Sequence, residues 1–507
     1  MNTIESFKAH IDKGNTFKGE SLILGTAMLE GKPVQSTHVK VPLKTLNRHG
    51  LISGATGTGK TKSLQVLAEQ MSLHGIPTLL MDMKGDLSGM AAEGSNNKHI
   101  EWRHGEIGIP YQPERLPVEL FTLTDHKGVR LRSTITEFGP TLLSKILGLN
   151  ATQQGIVAVV FKYCDDQKLP LIDLNDLKKV LSFMIEEGKK EIKAEYGSIS
   201  KASVSTILRK VIELEQQKAD VFFGERSFDP QDLLTTTYDG KGTVSIIRLA
   251  DIQDKPKLFS TFMLSLLAEV YETFPEEGDL DKPKLAIFID EAHLVFKNAS
   301  KELQEQIESI IKLIRSKGVG IFFCTQNPTD IPDAVLSQLG LKIQHALRAF
   351  TAKDRENIRK VAKNYPITEY YDIEDVLTSL GIGEAFVTAL NEKGIPTPLV
   401  ATLMRAPVTR MDILTEKEVN DVVKQSRLVD KYAENINRES AEELLMKKIA
   451  KAEEQAVTKE NKKVSRSRTK KEESFFETMS KNTMVRQLGR TLTREITRGL
   501  LGVLGVK

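Results

Sequence analysis

The sequence predicts an α/β fold built around a mostly parallel sheet, on three observations. Strand-like apolar runs alternate with segments of helical period through much of the chain. A glycine-rich stretch, Gly54-Ala55-Thr56-Gly57-Thr58-Gly59-Lys60-Thr61, follows one such run and opens one such helix. The run Leu285-Ala286-Ile287-Phe288-Ile289 ends in two adjacent acids, Asp290 and Glu291. Parallel strands buried on both faces read as continuous apolar runs, and ligands gather at their carboxyl ends.

In chain order, residues 1–48 hold strand-like pieces, Leu22-Ile23-Leu24-Gly25 and Val39-Lys40-Val41-Pro42, around the turn Glu30-Gly31-Lys32-Pro33. They are too few for a core of their own and are expected as a short β-rich lead-in. Residues 49–135 and 240–410 are expected to form the core domain. Its first strand ends at Leu51-Ile52-Ser53. The helix after the glycine loop repeats Leu64, Leu67, Ala68 and Met71 until Gly75 and Pro77 stop it. Strands follow at 78–82 and 118–123. Residues 136–239 form a mainly helical insertion, with helical spacing over 141–149, 153–163, 174–187 and 203–217, expected to pack as a separate lobe. Strands resume at 243–249, 284–290, 319–325, 341–347 and 384–390, with helices at 256–273 and 301–316 between them. Beyond these lie a charged helical extension (411–458), a basic linker (459–473) and an amphipathic Arg/Gly-rich segment (474–507). No internal repeat is detected.

Composition narrows the class. The chain has 507 residues, 40% hydrophobic and 27% charged, which suits a globular protein with a sizeable core. Two cysteines cannot build a disulfide framework, and no secretory leader or run of about 18 apolar residues is evident. A cytoplasmic protein is expected. The net charge is +3, yet residues 459–471 alone carry seven Lys/Arg against one Glu, so the remainder sums to −3. Basicity is concentrated in the tail.

The glycine stretch fits the pattern G-x-x-x-x-G-K-[ST] of a phosphate-binding loop. Backbone N–H groups from Gly54 to Thr61 would cup phosphate oxygens at the positive end of the helix. Lys60 would reach the β- and γ-phosphates, the Thr61 hydroxyl would ligate Mg²⁺, and Lys62 joins the nucleotide-binding set. Hydrolysis also needs a carboxylate for the metal and a group to position water. Asp290 suits the Mg²⁺ shell and Glu291 the water. Gln326, at the end of the run Ile321-Phe322-Phe323-Cys324-Thr325, could contact the γ-phosphate or hold the water. Arg315 and Arg348 are candidates for an arginine supplied from a neighbouring subunit. Asp82 fits a supporting role at the metal or a simple turn. Cys324 reads as a core residue, and His293 as a packing or capping group. No histidine pair has zinc-ligand spacing. No Asn-Lys-x-Asp segment for guanine occurs, which favours ATP.

With these residues in view, the chain resembles the HerA/FtsK class of P-loop ATPases, and most of all the YjgR-type HerA-like proteins. The segments that carry the resemblance are Leu46 to Gly50 running into Gly54–Thr61, then Asp82-Met83-Lys84-Gly85-Asp86-Leu87-Ser88-Gly89. Ile289-Asp290-Glu291-Ala292-His293 and Arg315 to Gly320 leading to Thr325-Gln326-Asn327-Pro328 complete it. The resemblance covers about residues 20–405 and the Arg/Gly-rich C-terminus. It implies a RecA-like core, ATP hydrolysis, assembly as a homo-oligomer such as a hexameric ring, and a trans-acting arginine at 315. HerA itself carries a fuller N-terminal β-barrel; about fifty residues precede the loop here, so a short barrel or none is expected.

The tail adds a second possibility. Arg486, Arg490, Arg494 and Arg498 recur every four residues, as do Leu488, Leu492, Ile496 and Leu500. On a helix the two rows form opposed faces. Such a segment can bind DNA, an anionic membrane or an acidic partner, or dock its leucines on the body. Two functions fit these features. One is an oligomeric Mg²⁺-dependent ATPase acting as a DNA translocase or helicase. The other is an ATP-switched scaffold or membrane-surface assembly protein. A small-molecule kinase fits less well, because adjacent acids suit water activation better than an acceptor pocket.

Overall fold

The computed structural model of the protein describes residues 3–454 apart from 125, 279, 298–300 and 434–438. The basic linker at 459–473 and the amphipathic segment at 474–507 lie outside the described residues. Among the described residues there are twelve strands: β1 (Ser21–Leu29), β2 (Lys32–Pro42), β3 (Gly50–Ser53), β4 (Thr78–Asp82), β5 (Val118–Thr122), β6 (Val129–Arg130), β7 (Val244–Arg248), β8 (Leu285–Ile289), β9 (Val319–Thr325), β10 (Leu341–His345), β11 (Glu384–Thr388) and β12 (Val400–Met404). They form one 12-stranded sheet in the order β2-β1-β12-β11-β10-β3-β9-β8-β4-β7-β5-β6. From β10 to β6 every neighbouring pair is parallel. From β2 to β10 every pair is antiparallel.

The parallel part is apolar because helices cover both its faces. Every residue of β3, β4, β8 and β9 is buried. The antiparallel flank absorbs the N-terminal lead-in. The helix α1 (Thr3–Gly14) buries Phe7 and Ile11 over β1 and β2, and β1 pairs with β12, so these residues extend the sheet. Neither α1 nor β12 was expected from the sequence.

The helix α2 (Lys60–Leu73) follows the glycine loop, and α3 (Lys98–Ile107) starts at the Asn97 cap. Among the described residues five α-helices lie between β6 and β7: α4 (Ile135–Ile146), α5 (Ala151–Gln167), α6 (Leu174–Ile185), α7 (Lys189–Glu195) and α8 (Lys201–Gln216). Capping boxes at Thr134/Glu137, Asn150/Gln153 and Asp173/Asp176 fix three of their starts. α4 begins earlier than its apolar spacing suggested. It is kinked where Gly139 takes φ 74° before Pro140, which hides the first turn from periodicity. These helices belong to the same compact unit as the sheet, which runs to Glu442; residues from 443 belong to a second unit. In the unit that holds the sheet, α9 (Pro256–Thr273), α10 (His293–Lys297) and α11 (Lys301–Ile314) connect the later strands. Among the described residues no helix is long and apolar enough to cross a membrane.

Register places the strand ends side by side. Ser53 of β3 pairs with Thr325 of β9 and with Gln344 of β10. Ile289 of β8 pairs with Phe323 of β9 and with Met81 of β4. The chain segments leaving β10, β3, β9, β8 and β4 therefore emerge along one edge.

Candidate functional site

The site grows from the turn after β3. Gly54 takes φ 149°, and a Cβ there would lie 2.5 Å from the His345 Cβ, so only glycine fits. Gly57 takes φ 77° with open space where a Cβ would stand, and both it and Thr56 are exposed. The loop is tied down at its base. Ala55 N donates to Ala346 O (2.8 Å), and Gly383 N donates to Thr58 O (3.0 Å). The Thr58 hydroxyl and the Lys60 ammonium both donate to Ala55 O, at 2.7 and 3.0 Å. Ser63 N donates to Gly59 O (2.9 Å), which starts the α2 ladder. The result is an open loop apex at a helix N-terminus, where backbone N–H groups and the helix dipole favour an anion.

His345 forms the floor. It is fully buried, and burial pushes its pKa down to about 4. Its neutral ring fits one tautomer: Nδ1–H donates to Glu384 O (2.9 Å) and Nε2 accepts from the Ser63 hydroxyl (2.9 Å). This residue was not singled out in the sequence; its role depends on β10 lying beside β3.

The acids stand one strand over, beyond β9. Asp290 is buried, and its Oδ2 makes no hydrogen bond among the described residues. Burial raises its pKa, Lys84 nearby lowers it, and Glu291 raises it again. Glu291 takes φ 47° and is 7% exposed. Its Oε1 lies 2.5 Å from Lys84 Nζ. His293 Nδ1 stands 3.2 Å from Oε2 but outside hydrogen-bond geometry. Lys60 is buried as well; burial lowers its pKa, and the charges of Glu291 and Asp290 partly restore it. Cys324 is buried beside Asp290, and burial holds its thiol far above the usual range. It is a core residue, as its surroundings in the sequence suggested.

Around this centre the expected residues are distributed unequally. Gln326 is exposed at the end of β9 and, with His293, lines a cleft that also includes Phe296 and Gln304. The turn beyond it is self-capped: Thr325 Oγ1 and Asn327 N both donate to Asp330 Oδ2. Arg348 is exposed on the segment leaving β10, two residues after the carbonyl that holds Ala55. The Lys62 ammonium is engaged away from the loop, donating to Met411 O at 2.5 Å. That leaves its backbone N–H, not its side chain, at the helix start. Arg315 lies before Val319, at the start of β9 and so at the opposite sheet edge from the loop. The fold does not bring it to this chain's own loop.

Asp82 is a turn-former. Its Oδ1 accepts from Gly85 N (2.7 Å) and Asp86 N (3.2 Å), and its Oδ2 from Leu87 N (3.1 Å). Burial raises its pKa to about 6 despite those bonds. The turn it builds carries Lys84 to Glu291. The sequence showed Lys84 only as one member of a loop, since its partner sits on a strand whose adjacency to β4 cannot be read locally.

A divalent ion suits this donor set. Mg²⁺ is bound by one or two protein oxygens plus phosphate and water rather than by a full protein cage. Asp290, with its orphaned Oδ2, and the half-buried Thr61 at the second position of α2 are such donors.

The helicase HerA-like C-terminal family matches residues 27–507. A probable helicase of Methanocaldococcus jannaschii is 26% identical over 411 residues, covering 73% of this chain and 68% of that protein. A DNA import protein, CedB, of Sulfolobus acidocaldarius is 24% identical, covering 70% of this chain, which spans 52% of that protein. The DNA double-strand break repair helicase HerA of the same organism is 22% identical, covering 72% and 67%. Among solved structures, the bacterial conjugative coupling protein TrwB superposes with a TM-score of 0.52 at 13% identity, covering 80% of this chain and 94% of that one.

Proposed function

The chain belongs to the helicase HerA-like C-terminal family, and from that premise we propose that it is a Mg²⁺-dependent ATPase that works as an oligomeric ring on DNA. The observation that carries the proposal is the convergence of the open glycine loop, Lys60, Asp290 and Glu291 on one sheet edge, with a buried Asp290 oxygen that has no hydrogen bond among the described residues. The loop N–H groups and Lys60 hold the phosphates. Thr61 and Asp290 hold Mg²⁺, which when bound offsets charge on the phosphoryl oxygens. Glu291 orients the attacking water, and Gln326 faces the γ-phosphate from the neighbouring strand end. Arg315 acts in trans; its distance from its own loop is the reason a ring is needed. The fold shared with TrwB supports the nucleotide reading, because that protein has been solved with an ATP analogue and with ADP and Mg²⁺. The names of the relatives, a DNA import protein and a repair helicase, support DNA as the substrate. Phosphate release measured with and without Mg²⁺ and double-stranded DNA tests this. Turnover that needs Mg²⁺ and rises with DNA is expected. Mg²⁺-dependent turnover indifferent to DNA would instead favour the ATP-switched scaffold.

A further inference from the structure

The contact between Lys84 and Glu291 is more than a surface ion pair. The turn bearing Lys84 is pinned by the three backbone donors to Asp82, and the Gln253 side chain donates to Met83 O. The turn bearing Glu291 is pinned as well, with Ala292 N donating to Cys324 O at 2.9 Å. Two fixed backbones thus face each other, and only the side chains between them are free to change partner. The Lys84 side chain is 40% exposed, whereas that of Glu291 is 9% exposed. Lysine is a compact charge on a flexible stem, suited to exchanging one anion for another. Its turn leaves β4, which adjoins β8 and ends on the same sheet edge as the phosphate loop after β3. An ammonium 2.5 Å from Oε1 takes up a lone pair of that oxygen and fixes the direction of the carboxylate, so Glu291 is not free to turn toward a water while Lys84 holds it.

We propose that Lys84 is a γ-phosphate-responsive clamp: it holds Glu291 without a triphosphate and transfers to the γ-phosphate when ATP binds, releasing Glu291 to position water. This rests on the reading of Glu291 as the water-orienting group. Lys84 would thereby tie hydrolysis competence to the triphosphate and distinguish ATP from ADP.

Affinity, not turnover, tests it. The full chain is titrated with ADP and with a non-hydrolysable ATP analogue, AMP-PNP, in the presence of Mg²⁺, in four forms: wild type, K84A, E291Q and K84A/E291Q. Glu291→Gln removes the competing anion, so AMP-PNP should tighten by about tenfold while ADP stays within about threefold. Lys84→Ala should lower the preference for AMP-PNP over ADP by about tenfold and abolish the gain from Glu291→Gln in the double variant. The clamp is overturned if Glu291→Gln alone leaves the AMP-PNP to ADP preference unchanged, a result that needs no Lys84 variant to fold. It is equally overturned if the gain persists without Lys84. Turnover by E291Q reports separately on the water-orienting role, so either reading can fail while the other stands.

Discussion

His49 is fully buried under the loop that leads into β3, with Nε2–H donating to Ile311 O (2.9 Å) and Nδ1 accepting from Ile321 N (3.0 Å). Both ring nitrogens are used by the neutral form, and burial lowers the pKa to about 4. An unfolded histidine titrates near 6.5, so between about 6.5 and about 4 the unfolded chain holds a proton that the native site refuses. The stability contributed by His49 is present above the unfolded value and is lost as pH falls through that window. Asp82 works in the opposite direction: its raised pKa, about 6 against 3.8, favours the native state as pH falls. A difference measurement separates them. The stability of wild type minus that of His49→Gln, from urea unfolding, should fall by about 3 kcal/mol between pH 6.5 and pH 4. A constant difference would contradict a neutral buried ring. At the site itself, Gln326 is exposed and holds up no packing. Gln326→Ala should therefore lower kcat by about ten- to a hundredfold with KM within about threefold, read from steady-state phosphate release. Equal kcat would remove Gln326 from the site.

At the scale of elements, α2 is the best example of a sequence pattern that tells half the story. Leu64, Leu67, Ala68 and Met71 mark its buried stripe, and all four are buried. Gln65, Glu69 and Ser72 are just as buried, although they read as the solvent face. For Gln65 and Glu69 the covering comes from the segment after β12, whereas the Ser72 hydroxyl donates to Gly242 O ahead of β7. Glu69 accepts from Val408 N and Thr409 N, each at 2.9 Å, and from the Thr409 hydroxyl. Gln65 donates to Thr409 Oγ1 and Arg410 O, and Lys62 to Met411 O. No local period announces a cover that arrives more than 300 residues later in the chain. Glu69→Ala leaves two backbone donors buried without partners, at a cost of about 2–4 kcal/mol by urea unfolding. Loss below about 0.5 kcal/mol would show that the segment does not lean on α2. The buried strands were legible for the opposite reason. Leu285–Ile289 and residues 319–324 carry no charged or hydroxyl side chain because both faces are covered, so composition alone marks them.

For the whole molecule, the motifs were legible and their geometry was not. Gly54–Thr61, Asp290-Glu291 and Gln326 stand out by residue type, and the parallel order β3-β9-β8-β4 brings their strand ends together. That same order exposes what local reading misses: Lys84 reaches Glu291 only because β4 adjoins β8. It also separates Arg315 from its own loop by the length of β9. If Arg315 completes a neighbour's site, Arg315→Ala should cut turnover by about a hundredfold or more while nucleotide affinity stays near wild type. Mixing R315A with E291Q chains should restore part of the activity, because some interfaces regain one intact site. No recovery on mixing, with mixed assembly verified by mass, would contradict a trans role. The basic tail at 459–507 is tested by salt: if its six net charges over 459–471 meet DNA phosphates, log K should fall with log salt at a slope of about −5. A slope near zero, with liposome binding lost on removing 474–507, would assign the tail to a membrane surface.

The claim on which all of this rests is that the glycine loop and the Asp290-Glu291 turn form one hydrolytic site. Phosphate release by Glu291→Gln, on protein whose ATP binding has been verified by titration, tests it most directly. The expected result is retained binding with kcat reduced by about a hundredfold or more. Undiminished turnover with retained binding would contradict it.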